Sequence, residues 1–531
     1  MHQPLHRIFE DWASRTPSAP ALCWEGAELS YAQLNGRANE LAHGLTGATS
    51  LVALEGVQGP EAILGMLAIL KAGKAYLPLD PGLPAERAEA ILEMAGRPSL
   101  LRVSELTLDG PQRQDSPPVA DGRLMYVVHT SGTTGQPRGV QVTHANLAGL
   151  FPSCRDWLAF RQQDCWSWLH PLSFGFSIWE VWGALAHGAR LAVLGRGPVF
   201  DPEQVWDSWR RHRVSVASLT PSAFRLLSHD LERRPPLPDL ETIVFSGEAM
   251  VGESLRPWFA RFRPESPRLL NMYALSETAG EVACHPLGPD DVERHNSRIG
   301  KPLPGVDLRL VNEALESVEE GEILIRGPMI ADGYLNDPEL SGRRFLQLDG
   351  QPAYRTGDLA RRLSNGDYEY LGRLDGQLKV AGHRLETGEI ERYLRRFAGV
   401  EEVVLRLQDE QLIAYFTSRH PIAAAQLRAH LLQYLPAAVV PQRFLPLERL
   451  PLNRNGKLDE AHLRAVASLS PMQEVVQAAW MDLLELEDVG LDDDFFDLGG
   501  HSLSAMRLIG MLRSHLAADV TMRDLIDYPT L

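Results

Sequence analysis

Thr130-Ser131-Gly132-Thr133-Thr134-Gly135-Gln136-Pro137-Arg138-Gly139 follows the apolar run Leu124–Val128. Glycines let the backbone turn so that successive N–H groups point into one concavity, and the threonine and serine hydroxyls add donors for anionic oxygens. Arg138 contributes a permanent positive charge. Such a loop reads as a phosphate cradle. It is not the nucleotide loop G-x-x-x-x-G-K-[ST], because no Lys-Ser or Lys-Thr pair closes it, so a nucleotide here is held differently. A polar turn between strand and helix would use the same residue types, and the rest of the chain decides between the two.

From the start to about Leu374, short apolar runs alternate with amphipathic segments, the pattern of parallel strands with crossover helices. Leu51–Leu54, Ala75–Leu77, Leu124–Val128, Leu191–Leu194, Val214–Leu219 and Thr242–Phe245 read as strands. Leu5, Ile8, Phe9 and Trp12 form a helical stripe, and Ser30-x-x-Gln33 is a capping box opening a second helix with inner face Leu34, Ala38, Leu41 and Leu45. The Pro-rich stretch Asp109–Gly122 reads as a surface loop. After Leu374 the elements become shorter and more charged, ending near Val466, and Ala467–Pro471 is a connector. The remainder reads as helices. Val475, Val476, Ala479, Trp480, Leu483 and Leu484 form one apolar face, and Ala505, Leu508, Ile509, Leu512 and Leu516 another.

Composition narrows the function. A hydrophobic content of 44% with 23% charged residues excludes disorder as the dominant state. The net charge of −17 argues against a nucleic-acid partner, which requires a basic footprint. Residues 471–531 alone hold twelve carboxylates and three arginines, so this tail is a separate electrostatic object. Cys23, Cys154, Cys165 and Cys284 are scattered without metal spacing, which fits a reducing cytoplasm. The N-terminus has no signal-peptide core, and no uncharged apolar stretch approaches 18 residues, so secretion and membrane spanning are not expected.

In Asp494-Phe495-Phe496-Asp497-Leu498-Gly499-Gly500-His501-Ser502-Leu503, two glycines bring the chain round and Ser502 stands at the start of an amphipathic helix. A helix cap alone needs far less than this pattern. The tail resembles peptidyl carrier proteins, in which the matching serine is esterified by 4′-phosphopantetheine, so Ser502 is the implied attachment site.

The body then resembles the adenylation domains of nonribosomal peptide synthetases, members of the ANL adenylate-forming superfamily. The resemblance covers nearly the whole chain. It runs through Leu29-Ser30-Tyr31, Leu70–Asp80, Thr130–Gly139, Asn271–Thr278, Gly321–Leu335, Tyr354–Asp358, Gly372–Glu391 and Pro451–Lys457. It implies a large α/β N-terminal core (1–374), a small α+β mobile subdomain (375–466) and an all-α four-helix carrier (471–531). It also implies that ATP and Mg2+ are used, with an acyl-AMP formed first and a thioester on the carrier second, by positioning and charge neutralisation without a protein nucleophile. The small subdomain is expected to rotate between the steps about Asp375.

By the same resemblance, Lys457 bridges substrate carboxylate and α-phosphate, Arg384 nears the phosphates in the other orientation, and Glu277 is the magnesium ligand. Tyr273 offers its face to adenine, and Asp358 accepts from the ribose hydroxyls. Thr130, Ser131, Gly132, Thr133, Thr134, Gly135, Arg138, Gly247, Glu248, Ala249, Asn271, Ser276 and Arg373 complete the implied nucleotide contacts.

The implied acid pocket is Gly175, Phe176, Trp179, Ser218, Val244, Ser246, Met272, Gly280 and Glu281, closed by Lys457. Its departure from the family is informative. Enzymes of this kind that take α-amino acids have aspartate where Gly175 stands, pairing with the α-ammonium. Glu281 is the odd member, since a buried carboxylate needs a partner. Two expectations follow: a β-amino, ω-amino or guanidino acid whose cation meets Glu281, or a small polar α-amino acid whose ammonium is held by backbone carbonyls. No condensation or thioesterase domain fits the length, so downstream enzymes and a phosphopantetheinyl transferase are expected to act in trans. Two other readings stand beside this one: an acyl-coenzyme A ligase, or a degenerate domain serving as carrier scaffold.

Overall fold

In the computed structural model the described residues are 3–130, 137–194, 201–228, 231–294, 296–374, 378–380, 383–385, 387–408, 411–447, 450–451, 463, 467, 471–484, 486, 489, 493–516, 521–527 and 529–530. Contacts divide the chain into Met1–Glu386 and Thr387–Leu531.

Among the described residues the first unit holds two large sheets and the antiparallel pair Leu378–Val380 and His383–Leu385. The smaller orders Ser99–Arg102, Leu51–Glu55, Ala75–Leu79, Leu124–Thr130 and Arg138–Thr143, the first four parallel and the last antiparallel. The larger has fourteen strands. Its parallel part runs Pro20–Trp24, Arg190–Val193, Cys165–Trp168, Val216–Leu219, Thr242–Phe245 and Arg268–Leu275. The expected strands are all present, and the Ser30–Gln33 capping box forms as its spacing requires.

The expectation of parallel strands as far as Leu374 is corrected. From Gly280–Leu287 onward the larger sheet is antiparallel, through Arg298–Pro302, Tyr368–Arg373, Gln351–Arg362, Glu320–Arg326 and Asp307–Val311. The physical reason is connection length. Only the short turn Ser276–Thr278 separates Arg268–Leu275 from Gly280–Leu287, which is too little chain for a crossover helix.

The helix Phe176–Leu185 is buried at every position, so its sequence shows no polar face. It packs on Cys165–Trp168, Arg190–Val193 and Gly280–Leu287. Gly183 permits this approach, since a Cβ there would lie 2.4 Å from the Trp166 ring. Gly183→Ala is expected to lower stability by about 1–3 kcal/mol, the usual cost of overpacking, read as a fall in denaturation midpoint at unchanged slope.

In the second unit, Val400–Gln408, Gln411–Ser418 and Arg443–Pro446 form a three-stranded sheet with the helices Thr387–Arg395 and Ala424–Leu431. The acidic tail contributes the helices Pro471–Leu484, Ser502–Leu516 and Met522–Asp527 among the described residues. Their core is Trp480, Phe495, Ala505, Leu508 and Leu512, with the Trp480 and Phe495 rings edge to face at 5.1 Å.

Candidate active site

The glycine-rich loop joins two antiparallel strands, with Thr130 opposite Arg138. Ser131, Gly132, Thr133, Thr134 and Gly135 lie outside the described residues, as do Asp375, Lys457 and the side chains of Arg384 and Ser502.

Three of the expected nucleotide residues meet. Asp358, fully buried, accepts hydrogen bonds from the Tyr273 hydroxyl and from Arg373 Nη1 at 2.9 Å, one on each carboxylate oxygen. Arg373 Nη1 also donates to the Thr356 carbonyl at 3.1 Å. The carboxylate's place is thus set by a phenol and a guanidinium. Burial, and then the Asp358 charge beside it, pushes the Tyr273 hydroxyl well above its ordinary value, so it stays a donor. Two others turn to structural partners. Asn271 Nδ2 donates to the Arg298 carbonyl at 2.7 Å, and Glu248 accepts from Ser222 N and Oγ at the start of the helix Pro221–Ser228. Gly247, at φ +91°, takes a left-handed conformation that favours glycine, and a Cβ there would lie 3.0 Å from the Phe174 ring. Ala249 is exposed, and Ser246 is buried.

Glu277, 1% exposed, sits in the turn after Arg268–Leu275. Its Oε1 accepts from the Tyr334 hydroxyl at 2.8 Å, and that hydroxyl lies 3.1 Å from the Tyr354 hydroxyl. Tyr334 and Tyr354 lie in the resembling segments Gly321–Leu335 and Tyr354–Asp358, but the sequence assigned neither a role beside Glu277. The signal available was that tyrosines in apolar surroundings must find hydrogen-bond partners.

The residues expected to form the acid pocket lie on a face of the larger sheet and on the helix Phe176–Leu185 that packs on it. Ser218, Val244 and Leu270 are in register across three parallel strands, Met272 lies opposite Cys284, and Ala274 opposite Glu281. A bulge decides Glu281's direction. The register shifts between Tyr273 and Ala274, so Val282 is extra and Glu281 joins Cys284 on the pocket face despite an odd spacing. Val282 and Ala283 bury instead in the core around Tyr273.

Glu281 is 4% exposed, and its Oε2 has no hydrogen-bond partner among the described residues. Burial pushes its carboxyl up to about 7, with its own backbone N–H pulling the other way. Cys154, Cys284 and Tyr126 are raised first by burial and then by the neighbouring Glu281 charge, which marks them as its surroundings. Ser218 Oγ and Trp179 Nε1 are likewise buried without partners. Phe176 packs against His170, whose Nδ1 lies 3.1 Å from the buried Glu180 carboxylate. At Gly175 a Cβ would lie 3.8 Å from Ser276 Oγ and meet nothing else within 4 Å, so the place of the family's aspartate is sterically open. Gly280, at φ +133°, brings the backbone against Leu150, which a Cβ would approach to 2.9 Å.

A cleft of about 410 Å³ opens beyond the carboxyl ends of Leu51–Glu55 and Ala75–Leu79, walled by Gln58, Asp80 and Pro171–Ser173, the last leading directly to Gly175. In the carrier, Gly499 (φ +99°) makes the turn, and a Cβ on Gly500 would lie 2.4 Å from Phe495. His501 N donates to Ser504 Oγ at 2.7 Å and Ser504 N to His501 Nδ1 at 3.3 Å, a reciprocal cap at the start of the helix that begins at Ser502.

Residues 9–335 match the family of AMP-binding enzymes, and residues 474–531 match the phosphopantetheine attachment site. The chain belongs to the AMP-binding enzymes. It is an adenylate-forming ligase of the ANL superfamily, with the adenylation and carrier domains of a nonribosomal peptide synthetase, and it uses ATP, Mg2+ and 4′-phosphopantetheine. It is 35% identical to Syringomycin synthase SyrB1 of Pseudomonas syringae pv. syringae over 96% of this chain and 91% of that protein. It is 34% identical to a Dimodular nonribosomal peptide synthase of Bacillus subtilis over its whole length, but spans only 25% of that protein. Holo-PA1221, an NRPS protein containing adenylation and PCP domains bound to a vinylsulfonamide inhibitor, matches with a TM-score of 0.79 and 28% identity, covering 100% of this chain and 95% of that one. No helix among the described residues is long and apolar enough to cross a membrane.

Proposed function

We propose that this adenylation domain activates a small β-amino, ω-amino or guanidino acid as its acyl-AMP and loads the acyl group onto its own carrier at Ser502, for a nonribosomal peptide or related natural product. The observation that carries the substrate class is the buried Oε2 of Glu281, without a hydrogen-bond partner among the described residues, in a pocket that has glycine at position 175. A desolvated carboxylate without a partner costs several kcal/mol, and a bound ammonium or guanidinium removes that cost. The bulge at Val282 supports the reading, because it puts Glu281 on the same face as Met272 and Cys284.

The chain is organised as a core (1–374), a mobile subdomain (375–466) and a carrier (471–531). Glu281 anchors the cationic end of the acid, and the narrow face of Phe176, Trp179 and Met272 limits its length. Lys457, by its motif, meets the acid's carboxylate and the α-phosphate. The carboxylate oxygen attacks the α-phosphorus, and pyrophosphate leaves. Asp358, held by Tyr273 and Arg373, accepts from the ribose and fixes the adenosine end. Thr130 and Arg138 flank the loop that receives the phosphates. Glu277, a hard oxygen donor in a buried turn, suits magnesium, which when bound supplies neutralising charge to the phosphates. Phosphopantetheine held on Ser502 would supply the thiol that accepts the acyl group, the acyl–phosphate bond breaking and AMP leaving. We assign the thiol's approach to the cleft walled by Gln58, Asp80 and Pro171–Ser173, where Gln58 Oε1, buried without a hydrogen-bond partner among the described residues, would accept from an amide N–H. Arg384 belongs to this second step. The four buried, free cysteines suit a reducing cytoplasm.

ATP–pyrophosphate exchange with a panel of α-, β- and ω-amino, guanidino and non-amino acids tests the substrate class. Exchange is expected with a cationic acid whose amine or guanidine is remote from the carboxylate. Exchange with an α-amino acid alone would contradict the assignment.

A further inference from the structure

The segment Ala331–Leu335 ties together the two parts of the phosphate site. Its Ala331 N donates to the Glu277 carbonyl at 2.9 Å, Leu335 N donates to the Gly139 carbonyl at 2.7 Å, and Tyr334 bridges to Val140 on the strand that leaves the phosphate loop. Asn146 Nδ2 holds the approach to this segment through the Pro328 and Ile330 carbonyls at 2.9 and 2.8 Å. Tyr334 is 5% exposed, and two sides of it are engaged. Its hydroxyl donates to Glu277 Oε1, and the Arg138 guanidinium lies 6.0 Å from its ring centroid.

We infer that Tyr334 is the positioning residue for the metal-binding carboxylate, holding Glu277 in one orientation and setting Arg138 of the phosphate loop relative to it. The inference rests on the reading of Glu277 as the magnesium ligand. A phenol suits this role because it is a neutral donor: it fixes one carboxylate oxygen without cancelling the charge a cation needs. Tyr354, against the same hydroxyl, and the edge-to-face packing of Phe345 on Tyr334 at 5.2 Å keep the ring from turning away. Outer partners of this kind commonly change metal affinity by about 10–100-fold.

The test titrates Mn2+, as a spectroscopic stand-in for Mg2+, into the full chain with α,β-methylene-ATP, free Mn2+ being read by electron paramagnetic resonance. Tyr334→Phe keeps the ring and loses only the hydroxyl. It is expected to weaken Mn2+ about tenfold while metal-free nucleotide affinity is unchanged, and excess Mg2+ restores the exchange rate. Glu277→Gln is expected to weaken Mn2+ more. If Glu277→Gln weakens Mn2+ and Tyr334→Phe does not, the positioning role is overturned and the ligand assignment stands. If Glu277→Gln leaves Mn2+ binding unchanged, the ligand assignment itself fails and the inference with it. A general loss of folding would lower nucleotide affinity with and without metal, and that outcome also contradicts the positioning role.

Discussion

Glu281→Ala is expected to lower kcat/KM for the cognate acid by about a thousandfold, equivalent to about 4 kcal/mol, the range lost when one partner of a buried charge pair is truncated. The unliganded protein is expected to lose little or no stability, because the alanine removes a desolvated carboxyl that has no partner for Oε2. That combination separates recognition from folding. Glu281→Gln keeps the shape and should lose nearly as much activity. Gly175→Asp, at a position with open space beside Ser276, is expected to gain exchange with a small α-amino acid when combined with Glu281→Ala.

The same carboxyl sets a pH dependence. Its folded value, about 7, lies above its ordinary 4.5, so the free protein holds the proton between those limits. Binding a cation requires the carboxylate and expels that proton. KM for a cationic acid should therefore fall as pH rises to about 7 and then level off, and Glu281→Gln should flatten the profile. The sign for stability is the opposite. This group's contribution is fully present below about 4.5 and is lost as pH rises through about 7, where a partnerless charge must be buried.

Asp358→Ala is the second large effect, and it acts on both folding and activity. Arg373 is 4% exposed at its side chain and pairs with Asp358 at 2.9 Å. Removing the carboxylate leaves a buried guanidinium without that partner, at a cost of about 3–5 kcal/mol, and leaves the Tyr273 hydroxyl without its acceptor. Chemical denaturation should show the loss, and ATP affinity should fall with it. Asp358→Asn keeps one acceptor oxygen for Arg373 or Tyr273 and should recover part of the stability while nucleotide binding stays weak. Equal stability of the alanine variant and the parent would mean that the pair contributes nothing to the fold.

The parallel half of the first unit was legible because its strands are apolar runs bounded by turn residues, and the Ser30 cap because its spacing is local. The antiparallel half was not, since apolar runs of one length serve either direction and only the three-residue turn Ser276–Thr278 decides. The pocket shows the same division. Gly175 and Glu281 stand out as residue types, but Glu281's direction depends on a bulge that alternation cannot reveal. Asp358 was legible as an acceptor, whereas its ties to Tyr273 and Arg373 span 85 and 15 residues and belong to tertiary pairing. Tyr334 lies 57 residues from Glu277 and was hidden for the same reason.

This chain is expected to activate an acid and load it onto its own carrier. The decisive experiment is intact-protein mass spectrometry after priming Ser502 with phosphopantetheine and incubating with Mg2+-ATP and the acid panel. One acyl increment from a cationic β-, ω-amino or guanidino acid is expected, absent in Ser502→Ala. Priming without any acyl increment, or release of the product only onto free coenzyme A, would contradict it.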